Sequence, residues 1–247
     1  MTARALVLAL CLFWLPAQAS PEFRFRIPGG FRDLSPGVPA ESFDGLPDTI
    51  RTETQSGKYA AFGMDVSDED GFYENFNAVV QTGALRVTED FASEHKAKLL
   101  EEYPKLLGGP VSIVEHGIGS LGGIPVVRVV FDVKSPDLSM RQLQYLVPGG
   151  NEQWAVLTYA ATSSTFDRYR PLFEASAAAT VGAREAKLVD FGRAGMWGVY
   201  GAGIGSLVGL ILQLSKKRQK AAKPAPQRMP TRTKTNVGRP PRPLGRR

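Results

Sequence analysis

The stretch WAVLTYAATSSTFDRYRPLFEASAAAT, Trp154 to Thr180, switches character half way along. Its first part, WAVLTYAA, is an almost unbroken run of apolar, β-branched and aromatic residues, which reads as a strand. Ser164 with Asp167 three residues on resembles a capping box, so a helix opens over TFDRYRPLFEASAAAT. Pro171 fits the first turn of the main helix, with the preceding residues as a lead-in turn.

Working backwards, PGGNEQ (148–153) is a short glycine-bearing loop, and RQLQYLV (141–147) before it alternates, with Leu143, Tyr145 and Val147 on one face. The two runs make an antiparallel hairpin. IPVVRVVFDV (124–133) is nearly continuously apolar, as expected of a central strand. VEHGIGSLGG (114–123) reads as a glycine loop between strands. Further upstream, Thr88 caps a helix with Glu89 and Asp90 in its first turn. Phe91, His95, Leu99 and Tyr103 fall on one face of that helix, which lays it on a sheet. Pro104 ends or kinks it, and Gly108-Gly109-Pro110 closes it. NFNAVVQT (75–82) and KYAAFGMDV (58–66) read as strands. EFRFRI (22–27) alternates like a strand before the turn at Pro28-Gly29-Gly30.

FRFRIPGGF, GGIPVVRVVF, RQLQYLV and the stretch quoted first, taken in this order, resemble the PsbP/Mog-like superfamily, the bacterial relatives of the photosystem protein PsbP and of the Mog-type Ran-binding protein. The resemblance spans residues 20–186. It implies an α+β domain, an antiparallel sheet flanked by helices on both faces as an α/β/α sandwich. It also implies a binding or assembly role without catalysis, and it transfers no site residue and no cofactor. The C-terminal anchor described next departs from many soluble or lipid-anchored members.

The chain of 247 residues carries a net charge of +6, but unevenly. Residues 215–247 hold five Lys and seven Arg against no Asp or Glu, a charge of +12, whereas residues 20–194 sum to −7. At the N-terminus Arg4, the apolar run Ala5–Leu15 and the small-x-small pattern Ala17-Gln18-Ala19 form a secretory signal (1–19) cleaved between Ala19 and Ser20, with an uncleaved anchor as the alternative. The single cysteine, Cys11, follows Leu10, a poor residue for lipoprotein processing. Once the signal is removed no cysteine is left, so disulfides and thiolate chemistry are excluded.

Residues 187–195 form a linker, and GMWGVYGAGIGSLVGLILQLSKKRQK (195–220) follows. GAGIGS has the wrong spacing for a dinucleotide fingerprint and is not followed by the Lys-Ser/Thr of a P-loop. Residues 196–214 are instead uncharged over about 28 Å of helix, close to the ~30 Å hydrocarbon core, and read as a single transmembrane helix. Trp197 and Tyr200 stand at its entry. Lys216, Lys217, Arg218 and Lys220 at its exit meet anionic headgroups, and mark the cytoplasmic side of a bacterial inner membrane. The preceding domain is then periplasmic. Gly201, Gly205 and Gly209 line one helix face for self-association as a homodimer or for a partner helix, or reflect glycine's frequency in such helices. The tail 215–247, basic and Pro-rich, stays disordered. It is a solvated topological segment, a protein docking site or a phosphate-neutralising one, and without aromatics to stack on bases it does not support sequence-specific nucleic-acid recognition.

Catalytic groupings are few. His95 sits on the helix stripe as a core-edge residue. His116 lies beside Glu115 and four before Ser120, but Ile118 stands where a nucleophile elbow needs glycine. Two histidines cannot build a three-His zinc site. Asp65, Asp68, Asp70 and Glu74 are candidate calcium ligands, though their spacing does not match an EF-hand and a solvated acidic turn is the simpler reading. The function expected is a membrane-anchored periplasmic scaffold or assembly factor bound to an envelope protein. The alternatives are a receptor relaying binding to the tail through helix association, and a hydrolase without a legible motif.

Overall fold

The computed structural model describes residues 23–67, 72–107, 109–135, 138–150 and 152–185. The signal segment, the linker, the transmembrane span, its glycines, the basic cluster and the tail lie outside the described residues. Among the described residues no helix is long and apolar enough to cross a membrane.

Seven antiparallel strands form one sheet in the order β1-β2-β3-β7-β6-β5-β4: β1 Arg32–Asp33, β2 Ala61–Met64, β3 Asn75–Thr82, β4 Val111–Leu121, β5 Ile124–Ser135, β6 Leu138–Pro148 and β7 Gln153–Thr162. The helices are α1 Asp48–Thr54, α2 Glu89–Leu107 and α3 Phe166–Ala178. The expected hairpin is present, with Pro148 opposite Trp154 and Met140 opposite Thr162. β5 is buried on both faces, which explains its continuous apolar run, although it lies one strand in from the edge.

The pleat of β5 separates two cores. Val129, Phe131 and Val133 face α2, where they join Leu99 and Tyr103 as well as Phe43 and Ile50 from the chain around α1, and Val127 on the same face joins Phe91 and Ala92. Val126 and Val130 face the other way and pack with Phe166, Tyr169, Phe173 and Ala177 of α3. Helices therefore cover both faces of the sheet.

Four expectations need correction. VEHGIGSLGG is not a loop: Val114–Leu121 belongs to the eleven-residue β4, and only Gly122-Gly123 turn the chain, at φ of 59° and 85°. This is a two-residue turn needing positive φ twice, which two glycines supply without strain. EFRFRI has strand-like alternation, with Phe23 buried and Arg24 and Arg26 exposed, but among the described residues it joins no sheet strand. It is held by a single bridge from Arg24 to Val181, with Phe23 seated against the backbone of Gly149. α3 starts at Phe166 with Thr165 as its cap residue, and Ser164 and Asp167 form no capping box. The hydroxyls there are engaged elsewhere: Ser164 Oγ pairs with Thr162 Oγ1 at 3.0 Å, and Thr165 Oγ1 donates to Glu74 Oε1 at 2.7 Å. Pro171 lies inside α3, not in its first turn. The helix tolerates it because Asp167, whose carbonyl loses its partner, is exposed to water. Thr88 does cap α2, its Oγ1 accepting the Phe91 N–H at 3.2 Å, and that helix runs through Pro104 to Leu107.

Candidate functional site

β4 is the outermost strand on its side of the sheet, paired with β5 along one edge only among the described residues. Its register shifts between Ile113 and Glu115, so Val114 is an extra residue with no partner on β5. Side chains alternate along a strand, so this one-residue insertion flips everything after it. Ile113, opposite Phe131, faces α2, and without the bulge Glu115 would do so too. With the bulge Glu115 lies opposite Val130 on the α3 face, and His116, opposite Val129, on the α2 face.

Each residue meets a fitting environment there. Glu115 Oε2 accepts from Arg128 Nη1 at 2.5 Å and its Oε1 from Arg170 Nη1 at 2.8 Å, while Glu174 Oε1 takes Arg128 Nη2 at 2.9 Å and Arg170 Nε at 3.0 Å. Two arginines and two carboxylates thus clamp α3 to β4 and β5. The Arg128 and Arg170 hydrogen bonds outweigh partial burial and hold the Glu115 carboxyl below its usual range. On the other face His116 stacks on His95 of α2, ring centroids 5.9 Å apart and 20° off parallel. Burial first, and the neighbouring imidazole second, push His95 down to about 4. The Glu115, His116 and Ser120 grouping is therefore divided by the sheet. A carboxylate on one face cannot orient an imidazole on the other, which removes general-base chemistry from this trio.

Two of the four acidic candidates are described. Asp65 Oδ2 accepts from Tyr169 OH at 2.6 Å, and Glu74, buried, accepts from Thr165. Burial raises the Asp65 carboxyl, but the Tyr169 hydroxyl and the Ser67 amide bring it net below its usual value. Both carboxylates therefore tie β2 and β3 to the start of α3. Asp68 and Asp70 lie outside the described residues, and among the described residues no three acidic, histidine or cysteine side chains come together as metal ligands.

A further group was hidden from sequence reasoning. On the α2 face of the three central strands, Asn75, Ala160 and Gln142 lie in one row and Asn77, Thr158 and Gln144 in the next. All four amides are at most 3% exposed. Gln144 Nε2 donates to Tyr103 OH at 3.4 Å and Thr158 Oγ1 at 3.3 Å, and Asn75 Nδ2 donates to the Tyr73 carbonyl at 3.0 Å. The amide oxygens of Asn75, Asn77, Gln142 and Gln144 receive no donor from the described residues. Burying an acceptor unpaired costs about 1–3 kcal/mol, so four together rival the ~5–15 kcal/mol net stability of a domain. The only signal in the sequence was the polar alternation of NFN and RQLQ, which in isolation reads as a solvent face.

No protein-family model and no curated protein matches the chain. Among solved structures, it is similar to the cyanobacterial PsbP (CyanoP) of Synechocystis sp. PCC 6803, at 11% identity over 67% of this chain and 89% of that one, with a TM-score of 0.47. It is also similar to LpqN of Mycobacterium tuberculosis, a protein involved in cell envelope biogenesis, at 11% identity over 68% and 88%, TM-score 0.41. A third is PA94 of Pseudomonas aeruginosa, a protein of unknown function, at 13% over 53% and 82%, TM-score 0.37. At TM-scores below 0.5 none of these likenesses fixes a superfamily, and the PsbP/Mog-like resemblance rests on the sequence.

Proposed function

We propose that this chain is a membrane-anchored periplasmic binding protein, a scaffold or assembly factor whose domain captures an envelope protein without catalysis. The observation that supports it most directly is the outer edge of β4. Eleven residues long, this strand has one edge without a strand partner among the described residues, and it exposes Val114 to 46% and Ile118 to 38%. Edges of this length are usually shortened, charged or covered, because they template pairing with another chain. An extended partner segment adding to β4 would gain main-chain hydrogen bonds from the edge and apolar contacts from Val114 and Ile118. The carboxylate on β4 itself, Glu115, is held by Arg128 and Arg170.

The test uses the full-length chain in bacterial membranes, with a photo-crosslinking residue at position 114 or 118 and a control at the exposed Leu172 of α3. The expected result is one discrete adduct with an envelope protein from β4 positions, absent from position 172 and lost when the crosslinker at 114 is combined with Ile118→Lys or the crosslinker at 118 with Val114→Lys. Equal labelling from all three positions, or a chain that alkaline carbonate strips from the membrane, would overturn the reading.

A further inference from the structure

The amide rows on the α2 face lie away from the β4 edge, and what fills them is independent of the partner-binding proposal. We propose that these rows are a binding site for small neutral hydrogen-bond donors, occupied by ordered water: an internal hydration site built from Asn75, Asn77, Gln142 and Gln144 on the floor of the sheet beneath Tyr103.

Three features define the guest. It must bring N–H or O–H groups, because four buried amide oxygens receive no donor from the described residues. Turning the amides over does not remove this need. Asn75 is fixed by the Tyr73 carbonyl, which can only accept, so its Nδ2 must face that carbonyl and its Oδ1 must face the interior. In Gln144 an exchange of oxygen and nitrogen would let Oε1 accept from the Tyr103 and Thr158 hydroxyls, but would then strand the two amide protons instead. Either orientation asks for an outside partner.

The guest must also be neutral. The side chains on this floor are amides, a hydroxyl and the methyl of Ala160, flanked by Phe62 and Met64 on β2 and by Val129 and Phe131 on β5. A cation there would be a buried charge without a counter-charge. Finally it must be small, since Tyr103 closes over Gln144 from α2 and its ring sits edge-on to Phe131, centroids 5.5 Å apart. Ala160, between Asn75 and Gln142, is the smallest side chain of its row. Water meets all three conditions, and buried waters typically bridge two to four such polar groups.

Water-edited solid-state NMR of the uniformly labelled full-length chain in liposomes tests this directly. Magnetisation transferred from water is expected to reach the side-chain amide carbons of these four residues as fast as it reaches exposed amides, while Leu143, Tyr159 and Val156 on the same strands stay slow. If the four amides receive water polarisation no faster than those core residues, the site is dry and the proposal is overturned, whatever the crosslinking at β4 shows. A dry result with amide proton shifts of direct amide-to-amide pairing would overturn it equally, and would identify what replaced the water.

Discussion

His95 shows how a single side chain reports its surroundings. It lies on the buried stripe of α2, 1% exposed, and stacks between Phe91 and His116. The charged groups that bear on the pair are Lys96, which lowers the His116 value after burial, and Glu89, which raises it. Folded, His95 stays neutral down to about 4; unfolded, it takes a proton near 6.5. Below 6.5 the unfolded chain binds more protons, so stability falls as pH falls, and the loss is complete near the folded value. At 1.36 kcal/mol per unit, acidification from 6.5 to about pH 5 removes roughly 2 kcal/mol. The depressed carboxyls of Glu115 and Asp65 add nothing in that window, since their contributions are lost only below 4.5 and 3.8. Urea titrations across this range are expected to show the slope, and His95→Leu is expected to flatten most of it. An unchanged slope in that variant would assign the pH dependence elsewhere. The position of His95 was legible, because its i+4 spacing from Phe91 and to Leu99 marks one helix face. The buried amides were not legible. Polar residues at every second position of a strand look solvent-facing until a helix and a loop are laid over them, and that cover comes from residues distant in sequence.

At the scale of an element, β4 is where local reading failed and tertiary pairing decided. Gly117 and Gly119 dilute its strand signal, yet Gly117 packs opposite Arg128 and Gly119 opposite Val126 in a continuous ladder with β5. By contrast β3, β5, β6 and β7 carry β-branched and apolar runs dense enough to be read alone. The start of α3 was misread because Ser164 and Asp167 have the right spacing for a cap while the hydroxyls are drawn to Thr162 and Glu74. The bulge at Val114 could not be inferred at all, since the extra residue is defined only by what β5 lacks opposite it. Its role makes a sharp prediction. Deleting Val114 restores simple alternation, turning Glu115 under α2 and away from its arginines and moving His116 to the arginine side. A carboxylate placed in an apolar layer and two stranded guanidiniums are together worth about 3–5 kcal/mol or more. Val114→Ala keeps the bulge and trims an exposed side chain, a change expected to stay within about 0.5 kcal/mol. Denaturant midpoints of the two variants should therefore separate widely, and similar midpoints would mean that the strand reaches its register without the inserted residue.

Across the whole molecule, the two ends of the described chain meet. Arg24 and Val181 exchange both backbone hydrogen bonds, at 2.9 and 3.0 Å, and Arg184 N–H donates to the Pro148 carbonyl at 3.0 Å beside the β6–β7 turn. The described chain thus enters and leaves the domain at one end, next to that turn. A domain released by signal cleavage and retained by a C-terminal span would hang from the bilayer by this end, with at most about 35 Å of extended chain between residue 185 and the span. The pairing offers a test of fold and topology together. Residues that exchange both hydrogen bonds in an antiparallel pair have Cα atoms about 5.5 Å apart, within the ~4.4–6.8 Å a disulfide accepts. Both side chains are exposed, so replacing them leaves the core intact. The chain's one native cysteine is Cys11, and replacing it by Ser leaves the Arg24→Cys, Val181→Cys double variant without a competing thiol. If the domain is exported as proposed, the double variant expressed at full length without added oxidant forms a disulfide between the two substituted positions quantitatively, because the periplasm oxidises and the cytoplasm does not. The bridge is read as a gel shift on reduction, absent from either single variant. A double variant with free thiols that added protease digests in spheroplasts would mean that the ends do not pair. Free thiols in a chain that protease cannot reach would mean that the domain is never exported, and the envelope reading would fall with it.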